Sequence, residues 1–237
     1  MTPRRALVTG ADLAFIAFFM CRFLRLLALL PFAAAAFAQT AGLVGRLDGE
    51  NYVSPTGAFR MRAPVLPELG GEITDTENVV TFSDDFGTHV SVACFPLDLT
   101  QKWELETRGL KDYLTYFFAT FVLGDFQGRF PGSRIETALF SPELADGALL
   151  VHLLLPGGSF FDRAESVAAE PVTAKRGNLC FVHANHVYVI STELSERAIQ
   201  RSAHRLTPEQ ENERLRERLI ALHGRITFTP AKPAAAR

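Results

Sequence analysis

The sequence lacks the motifs that most often identify a protein's chemistry. It contains no CxxC pair, HExxH helix, Walker loop, GxGxxG fingerprint or GxSxG elbow, so the common metal, nucleotide and serine-hydrolase motifs are excluded. Its 237 residues carry a net charge of only −2. The absence of a basic cluster argues against nucleic acid as a partner and against an electrostatic membrane patch. We therefore expect no cofactor and assign no catalytic residue.

The N-terminal region lacks an uninterrupted apolar run long enough to cross a bilayer, but it has a shorter one. Arg22 and Arg25 precede an apolar run that ends in the small residue Ala38, which is the layout of a secretory signal peptide. We expect cleavage between Ala38 and Gln39, and a location in the periplasm or outside the cell. Removing residues 1–38 takes away four basic residues and one acidic residue and leaves a net charge of −5.

The segment before the signal favours a later start of translation. Signal peptides begin close to their basic residues, yet residues 1–19 precede Met20. We interpret residues 1–19 as an upstream misreading of the gene and residues 20–38 as the signal peptide. A twin-arginine signal at Arg4-Arg5 and a signal retained as an anchor are the alternatives. Charges between the apolar stretches interrupt the ~20-residue span that an anchor needs, so we expect no stable membrane span after cleavage.

Cysteine is scarce, with three residues in the whole chain. Cys94 and Cys180 lie in the apolar, strand-like segments VSVACF and NLCFVH, where a small buried thiol is a common occupant. Because export leads to an oxidising compartment, a disulfide between Cys94 and Cys180 is the alternative. The sequence favours two buried apolar residues and leaves the disulfide open.

The remaining chain is interpreted as one domain. Residues 39–50 are small and glycine-rich, as is typical of a linker, and residues 230–237 form a Pro/Ala tail that we expect to be disordered. Residues 51–229 show no internal boundary and suffice for one hydrophobic core.

Alternating apolar segments between turn residues predict three β-hairpins. The predicted strand pairs are Asn78–Ser83 with His89–Phe95, Ile135–Ser141 with Ala148–Leu155, and Asn178–His183 with His186–Thr192. In the last hairpin, Ala184 tolerates a left-handed backbone less well than Asn185, which leaves open a loop longer than two residues. Several of these strands are apolar on both faces, which indicates a sheet that is covered on both sides.

Two segments predict the helices that cover this sheet. Apolar residues recur at helical spacing from Leu110 to Val122 and make one broad stripe. Thr207-Pro208-Glu209-Gln210 provides a cap, a proline at the first helical position and a capping-box glutamine, and a helix follows to Leu222. The sequence therefore predicts an α+β fold, an α/β/α sandwich in which a mostly antiparallel sheet is flanked by helices on both faces.

One motif, taken with this order of elements, resembles a known family. Residues 54–64 read Ser-Pro-Thr-Gly-Ala-Phe-Arg-Met-Arg-Ala-Pro, and a hairpin, a helix, two hairpins and a final helix follow. This pattern resembles the PsbP-like α/β/α sandwich of exported bacterial and photosynthetic proteins over about residues 50–230. The resemblance implies a mostly non-catalytic role and no active-site residue.

His183 and His186 are the candidate metal ligands. A two-residue turn between them would place the two side chains directly opposite each other, about 5 Å apart at Cβ. A typical site needs one or two further ligands, which His89, Asp84 or Asp85 would supply only if the hairpins are neighbours. The alternative is a pair of polar residues at a solvated hairpin end.

Two loops are candidates for a contact surface. Residues 124–134 (GDFQGRFPGSR) combine glycines and a proline with aromatic and arginine side chains, which are frequent contact residues. The connection at residues 156–177 is long for a compact domain. The candidate ligand- or partner-binding residues are Phe126, Arg129, Phe130, Arg134, Phe160 and Phe161. The alternative is that the phenylalanines fold back onto the core.

These features favour an exported, non-enzymatic binding or assembly domain whose partner is an unknown envelope protein or small ligand. One alternative is a metal-dependent or hydrolytic envelope enzyme near His183 and His186. A second alternative is a carrier of lipid or another apolar ligand that uses the phenylalanine-rich helix, since the chain contains 20 phenylalanines.

Overall fold

The computed structural model describes residues 42–162 and 172–229. The predicted extension at residues 1–19, the predicted signal peptide with its expected cleavage between Ala38 and Gln39, the expected tail at residues 230–237 and residues 163–171 of the long connection lie outside the described residues.

The strands form two antiparallel sheets. The large sheet has seven strands in the order β4-β5-β6-β10-β9-β8-β7, and the small sheet has four in the order β1-β2-β3-β11. The strands are β1 (Arg46–Asp48), β2 (Asn51–Val53), β3 (Phe59–Arg62), β4 (Glu72–Asp75), β5 (Val79–Ser83), β6 (His89–Pro96), β7 (Arg134–Ser141), β8 (Ala148–Pro156), β9 (Thr173–His183), β10 (His186–Glu193) and β11 (Ile226–Phe228).

The three predicted hairpins are β5–β6, β7–β8 and β9–β10. Between β9 and β10, Ala184 and Asn185 both have positive φ, 46° and 64°, and the flanking His183 and His186 are paired. Two left-handed residues make a turn whose twist matches that of the strands it joins. The loop is therefore two residues long, and the longer loop left open by the sequence is not observed.

Within residues 42–162 and 172–229 there are five α-helices: α1 (Leu99–Arg108), α2 (Leu110–Phe117), α3 (Leu123–Arg129), α4 (Glu196–Gln200) and α5 (Pro208–His223). Helix α5 begins with the predicted capping box. The Thr207 side chain accepts a hydrogen bond from the Gln210 backbone N–H, and the Gln210 side chain accepts one from the Thr207 backbone N–H. Together these bonds satisfy two backbone donors at the helix start.

The large sheet lies between two hydrophobic clusters. On one face, Leu219 and Leu222 of α5 and residues of the small sheet pack with the inward side chains of β5, β6 and β10. On the other face, Tyr113, Leu114 and Phe117 of α2 pack on β8, β9 and β10. The prediction of an antiparallel sheet with helices on both faces is confirmed. The pairing of four strands into a separate small sheet was not predicted, and its strand β1 lies inside residues 39–50, for which a linker was expected.

Residues 124–129 correct the prediction of a loop after the aromatic helix. Helix α2 continues through a π-helical turn (Phe118–Val122) into α3, so Gly124 and Gly128 are helical. A glycine costs a helix about 1 kcal/mol relative to alanine, and burial of a phenylalanine side chain contributes about 1.5–3 kcal/mol. The buried Phe126 on α3 therefore offsets much of the glycine cost, which residue propensity alone does not reveal.

Candidate functional site

The helical wall formed by α2 and α3 covers only part of its sheet face. Helix α2 contacts β8 and helix α3 contacts β7, whereas β5 and β6 lie toward the other edge of the sheet. A groove forms where this wall meets the less covered strands. It consists of two adjoining cavities, of about 360 Å³ and about 500 Å³, which share Val79, Ser91, Phe126 and Arg129.

The smaller cavity, here called the aromatic cavity, lies against the phenylalanines of the helical wall. Phe117, Phe121 and Phe126 line it from the helices, and Phe95 lines it from β6. Phe117 and Phe126 are buried, whereas Phe121 is 49% exposed and therefore lies at the mouth. The π-helical turn carries Phe121 to this position, and such turns are frequent at functional sites.

The floor of the groove is a polar strip that crosses four strands. The strand register places Thr81, Ser91, Ser191 and Asn178 next to each other on β5, β6, β10 and β9. Asn178 Nδ2 donates to the Val151 carbonyl at 3.3 Å. Among the residues that the structure describes, the buried Asn178 Oδ1 and Ser191 Oγ have no hydrogen-bond partner. Each such atom costs about 1–3 kcal/mol, which a water or ligand group at the floor would recover.

The larger cavity, here called the arginine cavity, surrounds the buried guanidinium of Arg176. Arg176 Nη2 donates to His89 Nδ1 at 2.9 Å and to Glu193 Oε2 at 3.3 Å. Glu193 in turn accepts from Ser159 Oγ at 2.5 Å and from the Phe160 backbone N–H at 3.1 Å. The buried ion pair therefore anchors the segment that carries Ser159 and Phe160 to the sheet.

His89 is neutral in this arrangement. Burial, together with the positive charge of Arg176, lowers the pKa of His89 to about 3. Burial also lowers the pKa of the Arg176 guanidinium, while the Glu193 carboxylate opposes that shift. Since Nδ1 of the neutral ring accepts from Arg176, its single proton is on Nε2.

Phe126 joins the two cavities. The guanidinium carbon of Arg129 lies 5.4 Å from the centre of the Phe126 ring, and that of Arg176 lies 5.8 Å from it. Both distances are within the range of cation–π attraction. Arg129 also forms an ion pair with Asp125 on the same helix. These contacts therefore hold the Phe126 ring and the guanidinium groups of Arg129 and Arg176 in place where the two cavities meet.

The structure brings four of the six predicted contact residues to one cavity. Phe126, Arg129, Phe130 and Phe160 all line the arginine cavity. Phe160 is 51% exposed, and its ring centre lies 4.5 Å from that of His89. The other two do not line this cavity. Arg134 is the first residue of β7. Phe161 comes directly after Phe160, and its backbone N–H donates to Ser159 Oγ.

Sequence reasoning missed the polar residues beneath these aromatic ones. They are Arg176, Asn178, Ser191 and Glu193, together with His89, which the sequence suggested only as a further metal ligand. One signal was present: in KRGNLCFVH, Arg176 and Asn178 alternate with apolar residues inside a strand that is otherwise buried. Polar residues on one face of a buried strand indicate a network or a site, because buried polar groups need partners.

The predicted metal pair is placed as expected but has no third ligand. His183 and His186 are directly paired across the hairpin. The His183 ring packs against Phe228 at 4.7 Å, and His186 Nδ1 donates to the Ala184 carbonyl at 2.9 Å. His89 lies at the opposite end of β6, since His186 pairs with Pro96. Within residues 42–162 and 172–229, no group of three or more His, Cys, Asp or Glu side chains is placed to hold a metal ion.

The two described cysteines are free thiols on opposite faces of the sheet. Cys94 pairs with Tyr188 and Cys180 with Val189, and these two partners are consecutive on β10. Successive residues of a strand point to opposite faces. Two buried free thiols agree with the interpretation of Cys94 and Cys180 as small apolar residues. A disulfide between them would require a different strand register.

Comparison with known proteins gives structural similarity alone. No protein-family model matches the sequence, and no curated protein matches it significantly. Cyanobacterial PsbP (CyanoP) from Synechocystis matches with 12% identity and a TM-score of 0.45, over 79% of this chain and 98% of that one. The Saccharomyces cerevisiae Ran-binding protein Mog1p matches with 11% identity and a TM-score of 0.40, over 78% and 97%.

A protein from Bacteroides thetaiotaomicron matches with 9% identity and a TM-score of 0.41, over 77% of this chain. This chain spans about half of that protein's length, 49%. A PsbP protein is thus among the similar structures, as the motif at residues 54–64 led us to expect. At these identities and TM-scores the similarities carry no argument about function.

None of the helices in the described ranges combines the length and the apolar character needed to cross a membrane.

Proposed function

We propose that this chain is an exported binding or assembly domain of the cell envelope, without catalytic activity, and that its binding site is the groove. One observation carries the proposal: exposed phenylalanines at the mouth of the groove stand above buried polar atoms that lack partners among the described residues. Apolar walls with a few polar groups are typical of binding sites. The proposal of export rests on the signal-like residues 22–39.

The polar groups of the arginine cavity support binding more than catalysis. A nucleophilic serine needs a base that takes its proton, and the base needs a free lone pair. Ser159 donates to Glu193, whose carboxylate already pairs with Arg176, and His89 Nδ1 already accepts from Arg176. These contacts hold the cavity in shape: the described acceptor of the Ser159 proton is the carboxylate that fixes Arg176 and the Phe160 backbone, which is a positioning role.

Site-specific photo-crosslinking in the native organism tests the proposal. We would replace Phe121 and Phe160 in turn with the photoreactive residue p-benzoylphenylalanine. The matched control is Trp103, which is 60% exposed and does not line either cavity. We expect discrete cross-linked species from positions 121 and 160 and none from position 103. The chain recovered from the envelope fraction should begin at Gln39.

Two outcomes would contradict the proposal. Equal cross-linking at all three positions would mean that the groove is not a preferred contact, and recovery of the whole chain from the cytoplasm would overturn export. We retain an apolar-ligand carrier as the second candidate, because the phenylalanine-rich helical wall lines an open cavity of about 360 Å³. That candidate predicts an apolar compound in organic extracts of the purified protein.

A further inference from the structure

The charged side chains of the groove form two internal ion pairs. Arg176 pairs with the buried Glu193 at 3.3 Å, and Arg129 pairs with Asp125 four residues earlier on α3. The two positive and two negative charges cancel. His89 beside them accepts a hydrogen bond at Nδ1 and adds no charge. The groove therefore has no net charge with which to attract an ion.

The two cavities offer different kinds of contact. The aromatic cavity, walled by Phe117, Phe121 and Phe126, has a volume of about 360 Å³, which suits a large apolar side chain. The adjoining arginine cavity exposes the hydroxyl-bearing residues Thr81 and Ser91. A hydroxyl both donates and accepts hydrogen bonds, so these residues match neutral groups that do the same.

We propose that the groove binds an uncharged stretch of peptide that carries a large apolar side chain. This inference rests on the proposed function and names the ligand class for the same site. The apolar side chain occupies the aromatic cavity, and the adjacent main-chain amide bonds to the hydroxyls of Thr81 and Ser91. A charged group here would lose hydration and find each opposite charge already paired.

The same cavity disfavours a sugar. A sugar carries hydroxyls around its whole edge, and the phenylalanine wall would remove their water without replacing the hydrogen bonds. A peptide separates its polar main chain from its apolar side chain, as the groove separates its floor from its wall. A neutral sugar therefore serves as the competing outcome in the test.

Three phenylalanine derivatives that differ in charge test the charge argument. N-acetyl-phenylalanine amide is neutral, N-acetyl-phenylalanine is an anion and phenylalanine amide is a cation. Each is titrated into the full-length chain while backbone amide signals are followed by NMR. We expect the neutral probe to shift the signals of Ser91 and Asn178 with a dissociation constant on the order of 1 mM, about tenfold tighter than either charged probe.

Two pairs of variants sharpen the test. Phe121→Ala should weaken the neutral probe, whereas Trp103→Ala, an exposed aromatic outside both cavities, should not. Asp125→Asn leaves Arg129 unpaired and should shift the preference several-fold toward the anionic probe. Glu213→Gln, which breaks an exposed ion pair with Arg216 on α5, should leave the preference unchanged.

The outcomes separate this inference from the proposed function. Tighter binding of either charged probe in the groove would overturn the neutral-peptide ligand and leave the groove as a binding site. Shifts of the same amides by methyl glucoside, with none from the phenylalanine derivatives, would replace peptide by sugar. An absence of groove shifts with every probe would contradict the peptide ligand, while cross-linking from positions 121 and 160 would still support the groove.

Discussion

Arg176 on β9 donates a hydrogen bond of 2.9 Å to Nδ1 of His89 on β6, across the intervening strand β10. The same nitrogen of Arg176 lies 3.3 Å from the Glu193 carboxylate on β10. One buried guanidinium therefore links three neighbouring strands at the floor of the groove. This role requires a neutral His89, because a protonated ring has no lone pair to accept the bond.

The first prediction concerns pH. Burial lowers the pKa of His89 to about 3 and that of His152 to about 4, whereas a histidine in the unfolded chain titrates near ~6.5. The unfolded chain therefore binds more protons below that value, so the free energy of unfolding should fall as the pH drops from about 6.5 toward 4. Each histidine contributes up to ~1.4 kcal/mol per pH unit in this window.

Urea unfolding at about pH 7.5 and about pH 5 measures this loss. His89→Asn keeps an acceptor for Arg176 without the titration, so the variant should lose less stability on acidification than the natural chain. An equal loss in both proteins would show that His89 does not titrate as the structure implies.

The second prediction concerns the contact between α5 and β9. A Cβ added at Gly177 would lie 3.0 Å from Leu215 Cβ and 3.0 Å from Leu219 Cδ1, so Gly177→Ala forces the helix away from the sheet. We expect a loss of about 1–3 kcal/mol in the free energy of unfolding. The control is Gly128→Ala on α3, which meets no atom within 4 Å and should stabilise the helix by about 0.5–1 kcal/mol. A neutral Gly177→Ala would mean that α5 lies farther from β9.

The third prediction concerns Lys175, which is fully buried on the sheet face that packs against α5, opposite the groove. Its Nζ lies 2.5 Å from Glu136 and 3.0 Å from Glu211. Lys175→Met removes the cation beside Glu136 and leaves Glu211 with Arg197 at 3.1 Å, and it should cost about 3 kcal/mol in urea unfolding. Arg216→Met, which breaks an exposed ion pair of 3.2 Å, should cost at most about 1 kcal/mol. Equal effects of the two variants would refute a structural role for the buried cation.

Local patterns were sufficient to predict much of the fold. The hairpins follow from alternation and turn residues, and the start of α5 follows from the Thr207–Gln210 capping box. Helix α3 was missed because Gly124 and Gly128 have low helix propensity, and only the burial of Phe126 explains why the helix continues. Strands β1 and β2 of the small sheet were missed because strands of three residues give too little alternation to recognise.

The candidate site was predicted only in its aromatic residues and in Arg129, which all lie on the helical wall or on the segment that carries Phe160. Arg176 and His89 are 87 positions apart, and only the strand order β6-β10-β9 brings them together. Strand order depends on which edges pair in three dimensions, and local patterns of apolar and turn residues do not reveal that pairing. The residues of the polar floor therefore became recognisable only with the sheet register.

The last prediction concerns the two cysteines. Burial raises the pKa of both the Cys94 and the Cys180 thiols, and thiol reagents attack the thiolate. Neither thiol should react with Ellman's reagent at about pH 8 in the native chain, because burial disfavours the thiolate and restricts access. In concentrated guanidinium chloride without reductant, the chain that begins at Gln39 should titrate two thiols, and an uncleaved chain should titrate a third, Cys21. A chain beginning at Gln39 that titrates none would contain a disulfide, which the opposite orientation of Cys94 and Cys180 in this register does not allow.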